Sequence, residues 1–177
     1  PIAQTYLRVK SLGLSVGMIR EIAFALLLLL SLSVDATAIS LNRAGITALS
    51  DGLVKVTLGL ESGRTTGPCP SAGSWRWGSE QVCPEQRISS LEVRYQRQAV
   101  FIPYSAFADL GNPSSVAIER GSSGGTYSIK IVGGEAATSY VVVLKFKGGL
   151  LLEKVVRHGE FPASAWEKTL YKFNVMQ

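Results

Sequence analysis

A single histidine, His158, is all that the 177 residues offer to a catalytic plan built on an imidazole. Only two cysteines occur, Cys69 and Cys83. The chain has no G-x-S-x-G elbow, no H-E-x-x-H motif, no phosphate loop ending in Gly-Lys-Ser/Thr and no dinucleotide fingerprint. These absences remove the commonest serine-hydrolase, metalloprotease, nucleotide-hydrolase and dehydrogenase plans. Two thiols and one imidazole are also too few for a tetrahedral structural zinc site. No metal and no cofactor is expected, and no catalytic residue is assigned.

Long apolar runs are scarce as well. The longest, residues 22–34, covers 13 positions, whereas a membrane-spanning helix needs about 20. It follows Met18 and Arg20 and precedes Ala36-Thr37-Ala38, the three-part pattern of a secretory signal peptide with an A-x-A cleavage site. The alternative, a buried core helix of the same length, is weakened by the uninterrupted leucines from Leu26 to Leu30, which leave no polar side to turn to water. The expected organisation is upstream translated sequence at 1–17, a cleaved signal peptide at 18–38 and a single domain at 39–177. Ile39 occupies the first mature position where a lipoprotein would carry cysteine, so no membrane anchor is expected after cleavage. The periplasm or the medium is the expected location.

Charge is modest. Without Arg8, Lys10, Arg20, Glu21 and Asp35 of the leader, the mature chain keeps 15 basic and 11 acidic residues, a net +4. Such a surface suits anionic envelope polymers or acidic proteins without selecting one. Nucleic acid is not an expected partner, because export separates the chain from it and no recognition motif is present. Asn112-Pro113-Ser114 carries the proline that excludes N-glycosylation, which favours a bacterial envelope over a glycosylated ectodomain. Nothing in the pattern specifies an oligomeric state.

An oxidising compartment allows Cys69 and Cys83 to pair. Each precedes a proline, Pro70 or Pro84, and is thereby biased to extended backbone. Their bridge would close a loop of 15 residues, a gain of about 3 kcal/mol in the chain-entropy picture. Inside it lies Gly73-Ser74-Trp75-Arg76-Trp77-Gly78. If extended, Trp75 and Trp77 share one face and Arg76 takes the other. The tryptophan pair can stack on sugars or grip a partner's side chains. The plainer reading is that both indoles cap one open end of the core, since tryptophan is highly buried on average.

Period-two alternation dominates the rest and predicts strands. Val54, Val56, Leu58 and Leu60 share one parity, as do Leu91, Val93 and Tyr95. Further strands are expected at 100–102, 116–119, 127–132, 139–147 and 150–157, with a short helical turn at 105–110. Gly148-Gly149 between two β-branched runs predicts a tight hairpin, because glycine reaches positive φ freely. Residues 166–175 read as a closing strand, with a helix started at Pro162 as the alternative. The fold class is all-β: an antiparallel β-sandwich or open barrel of about seven or eight strands.

Among carboxylates, Glu61 ends a strand and Glu135 and Glu160 sit on loops; Glu160 beside His158 forms the one local acid–base pair. Its plainer reading is a polar strand-end turn. Lys145 and Lys147 share parity and suit a solvated strand face or a protected sheet edge. Together these features point to an exported soluble β-sandwich that binds a protein partner or envelope polymer through Trp75, Arg76 and Trp77. Alternatives are a small periplasmic hydrolase of envelope glycans or peptides using His158 and Glu160, and a subunit of an envelope assembly. Mass analysis of the exported product is expected to find Ile39 at the N-terminus and two fewer hydrogens than the reduced chain; a retained leucine tract with two free thiols would refute the export reading.

Overall fold

The computed structural model describes residues 37–41, 45–63, 77–79 and 83–173, all within the compact unit Asp35–Gln177. Residues 1–36, which include the expected upstream segment and nearly all of the signal peptide, lie outside them, as do Cys69, Trp75 and Arg76.

Ten strands occur among the described residues: β1 (Thr37–Ser40), β2 (Gly45–Ser50), β3 (Val54–Ser62), β4 (Gln86–Tyr95), β5 (Gln98–Val100), β6 (Pro113–Arg120), β7 (Thr126–Gly133), β8 (Tyr140–Lys147), β9 (Leu150–His158) and β10 (Ala165–Leu170). They form two antiparallel sheets, in the orders β1-β6-β7-β8-β9-β10 and β2-β3-β4-β5. The architecture is an all-β sandwich. The two strands beyond the expected number are β1 and β2, both at sheet edges and both mostly exposed. An edge strand needs no clean apolar alternation, so period two does not reveal it. β1 begins inside the expected cleavage triplet. A cut after Ala38 would keep the Ile39–Val116 and Ser40–Ser115 pairs of its ladder with β6 and remove the Thr37–Ile118 and Ala38–Ala117 pairs.

The core follows from alternation. Along β7, Tyr127, Ile129 and Ile131 point inward, and along β8 so do Tyr140, Val142, Leu144 and Phe146. Val54, Val56, Leu58 and Leu60 of β3 face them from the other sheet. Each such side chain contributes roughly 1.5–3 kcal/mol by leaving water. Tyr95 of β4, Tyr127 and Phe146 are stacked nearly parallel, with centroids 5.6 and 4.7 Å apart, so one aromatic column ties the two sheets together.

The expected Gly148-Gly149 hairpin joins β8 to β9, with Lys147 opposite Leu150 and Gly148 at φ +56°. The last segment is a strand, shorter than expected: β10 stops at Leu170, and Pro162 lies in a turn rather than opening a helix. The expected helical turn is a 3-10 turn at Tyr104–Ala106. No helix among the described residues is long and apolar enough to cross a membrane.

A polar clamp joins the sheets at one end. Asp51, after β2, accepts the N–H groups of Leu53 and Val54 at 3.1 and 2.8 Å. Arg120, at the end of β6, donates through Nε to the Asp51 carboxylate and through Nη2 to its carbonyl, both at 2.8 Å. Burial alone would raise the Asp51 carboxyl, but the N–H groups of Val54 and Leu53 and the Arg120 guanidinium outweigh it and hold the group below its ordinary 3.8. A depressed folded-state value means the clamp's pH-linked stability is fully present above 3.8 and is lost as pH falls through the lower folded value. Thermal melts across pH are therefore expected to show wild type more stable than Asp51→Asn at neutral pH and the gap closing as pH falls below the ordinary carboxylate range. A gap unchanged into strong acid would place the effect elsewhere.

Candidate functional site

At the opposite end of β8 and β9, residues from three parts of the chain form one aromatic cluster. Trp77 stacks on Trp166 at 5.2 Å with 13° between the rings, and His158 meets Trp166 edge to face at 4.8 Å. Phe161 lies 5.1 Å from His158. Trp77 is half-buried against the core, while Trp166 is 42% exposed and Phe161 70% exposed. The cluster thus has a fixed base and an open top.

Local structure fixes each ring. Trp77 is pinned to residues 109–111: its N–H donates to the Asp109 carbonyl at 3.2 Å, and Gly111 N–H donates to the Trp77 carbonyl at 2.9 Å. His158 ends β9, and its Nδ1 accepts the N–H groups of Glu160 and Phe161 at 3.0 and 3.2 Å. Arg157 Nη1 donates to the Pro162 carbonyl at 2.8 Å, closing the same turn. Gly159 is required there, because a Cβ would stand 2.6 Å from Ser139 Oγ. A bulge between Ala165 and Glu167 interrupts the pairing of β10 with β9 and leaves Trp166 over His158 and Trp77. Bulges commonly re-aim a side chain in this way.

Beneath the cluster lies a buried cation. Lys154 of β9 is 1% exposed, and its ammonium donates to both Asp109 carboxylate oxygens at 2.8 Å. Glu167 Oε1 stands 3.6 Å away, and Thr169 donates to that oxygen at 2.9 Å. Lys154 also reaches the Ser105 carbonyl at 3.4 Å. Nearby, Tyr140 is fully buried and donates to the Gly111 carbonyl at 3.0 Å; burial pushes its phenol far above the usual range, so it stays a donor. Segment 101–112 is thereby held to the inner face of β8, β9 and β10.

Of the sequence candidates, Trp77 and His158 are brought together, with Trp166 between them. Glu160 is exposed in the turn, and the interaction in evidence with His158 runs through its backbone N–H. Trp75, Arg76 and Cys69 lie outside the described residues; Cys83 is half-buried, and none of the described cysteines is free. Glu61 pairs with Arg87, and Glu135 caps the 3-10 turn Ala136–Thr138. Lys145 and Lys168 both hold Glu153, at 2.9 and 3.2 Å, and keep its carboxyl below the usual range. Among the described residues no group of three acidic, histidine or cysteine side chains could hold a metal ion.

Sequence reasoning missed Trp166, Phe161, Asp109 and Lys154 as site residues. The signal for the first two was the density of rings in residues 158–166; the bulge hid their common face by breaking parity. For Lys154, its inward parity with Val156 was readable, but its acidic partners come from distant segments. No protein-family model matches the chain, and no curated protein or solved structure matches it.

Lys154→Met removes the ammonium and leaves two largely covered carboxylates unpaired. It is expected to cost about 3 kcal/mol in chemical denaturation, against under about 1 kcal/mol for Lys145→Met, whose ammonium is exposed and whose partner Glu153 keeps Lys168. Equal losses would show that Lys154 is not the anchor.

Proposed function

We propose that this chain is an exported β-sandwich that binds a protein partner or an envelope polymer through the aromatic end formed by Trp77, His158, Phe161 and Trp166. The reading is carried by one observation: Trp166 remains 42% exposed although one of its faces is stacked on Trp77. Large, immobilised rings give contact area at small entropic cost. The turn that carries Phe161 is already braced by His158 and Arg157, so little ordering is left for binding to impose.

A bridge between Cys69 and Cys83 belongs to the same proposal, since it would tether the segment leading into Trp77. Export in place of Met18-headed leader retention is likewise part of it. The hydrolase alternative draws less support from the geometry. His158 Nδ1 is occupied by two backbone N–H groups and the ring is packed on Trp166, so the imidazole serves as a turn cap.

Because Trp166 and Phe161 are exposed, replacing them tests binding without emptying the core. Trp166→Ala with Phe161→Ala is expected to weaken co-sedimentation with a cell-wall preparation, or cross-linking to an envelope protein, at least tenfold with the melting temperature nearly unchanged. Trp77→Ala is expected to lower stability as well. Undiminished binding by the folded double variant would overturn the proposal.

A further inference from the structure

The ion cluster beneath the indoles also brings an amine against an acyl carbon. Lys154 Nζ stands 2.8 Å from each of the two Asp109 carboxylate oxygens. Equal contact with both oxygens puts Nζ within about 3.2 Å of Cγ, inside the roughly 3–3.5 Å separation of a near-attack pair. In water an amine and a carboxylic acid do not condense, because hydration holds both as ions. Burial withdraws that hydration and brings the neutral, reactive pair within reach. Lys154 is 1% exposed, so the pair sits where water is excluded.

Glu167 supplies a proton carrier at the same point. Its Oε1 lies 3.6 Å from Lys154 Nζ and accepts from Thr169 at 2.9 Å. Its Oε2 is buried and has no hydrogen-bond partner among the described residues. A buried oxygen without a partner calls for a reason. One is a proton taken from the attacking nitrogen and passed to the leaving oxygen, the ordinary work of a carboxylate in acid–base catalysis.

We propose that Lys154 and Asp109 condense into an isopeptide bond, with Glu167 relaying the proton. The ammonium first passes one proton to an Asp109 oxygen, which leaves a neutral amine facing a carboxylic acid. The Nζ lone pair then forms the N–Cγ bond as the carbonyl electron pair moves to oxygen. Glu167 takes a second proton from nitrogen and delivers it to the Asp109 hydroxyl; the C–O bond breaks, water leaves and the carbonyl re-forms. The third hydrogen stays on the amide nitrogen. Glu167 ends as it began, and no oxidant, reductant or cofactor is consumed. The product keeps the contact of the ion pair and makes it covalent, tying segment 101–112 to β9 across 46 residues, 109 to 154. A cross-link of that span restricts the unfolded chain and so favours the folded one. It uses none of the exposed rings, so this proposal and the binding proposal can fail separately.

Intact-mass analysis of the purified full chain, with its thiols reduced, is expected to fall one water below the mass set by its sequence and measured N-terminus. Tandem mass spectrometry of a tryptic digest is expected to find the Asp109 and Lys154 peptides joined and the chain uncut after Lys154. Lys154→Arg, which keeps the cation, is expected to abolish the linkage. Glu167→Gln is expected to slow its formation about a hundredfold in protein that circular dichroism shows to be folded. The wild-type digest decides the bond even if neither variant folds. A folded wild type at full mass, water lost at another place such as Asp51-Gly52, or a linkage formed at the same rate in folded Glu167→Gln would each overturn the proposal.

Discussion

The ammonium of Lys154 is the constraint on which the aromatic end depends. A lysine at an inward core position loses its hydration and is stable only with close anionic and carbonyl partners. Asp109 supplies both carboxylate oxygens at 2.8 Å, and Glu167 and the Ser105 carbonyl complete the shell. Those partners belong to segment 101–112 and to β10, neither of which is fixed by period-two burial alone. Asp109 in turn holds the Trp77 backbone, and Glu167 is the chain neighbour of Trp166. One buried charge therefore sets the positions of both stacked indoles. The arrangement is specific because a misplaced segment would strand the charge in an apolar core.

Between the two ends, the two sheets share one packed core. The Tyr95, Tyr127 and Phe146 column binds the sheets near the Asp51–Arg120 clamp, and the Tyr140 bond to Gly111 binds segment 101–112 near the indoles. The ends differ in chemistry. One presents open aromatic faces above a buried ion cluster; the other holds an open cleft lined in part by the Asp51–Arg120 ion pair. Both rest on strand ends and turns, where a scaffold can hold polar and aromatic groups without interrupting its ladders.

Much of the fold was legible because central strands buried on one face must alternate. β7, β8 and the Gly148 hairpin follow directly from that rule. The turn joining β4 to β5 does not: Gln96 and Arg97 hold φ of +49° and +71° without a glycine or asparagine to announce it. Its conformation is imposed by the pairing of Tyr95 with Gln98 on either side. The candidate site was legible only in fragments. Trp77 and His158 stood out by rarity, but their common location depends on β10 folding back along β9 and on a bulge that no local preference specifies.

By itself the sequence determined the all-β class, the inward parity of the main strands and the position of the tightest hairpin, because each is a short-range consequence of side-chain period or of glycine's freedom at φ. Only the tertiary structure decided that Lys154 meets Asp109, that Trp77 meets Trp166, and that Asp51 meets Arg120. Those encounters join residues far apart in the chain. They are set by which strands become neighbours and by the cost of leaving a buried polar group unpaired, and neither quantity is written in any local window.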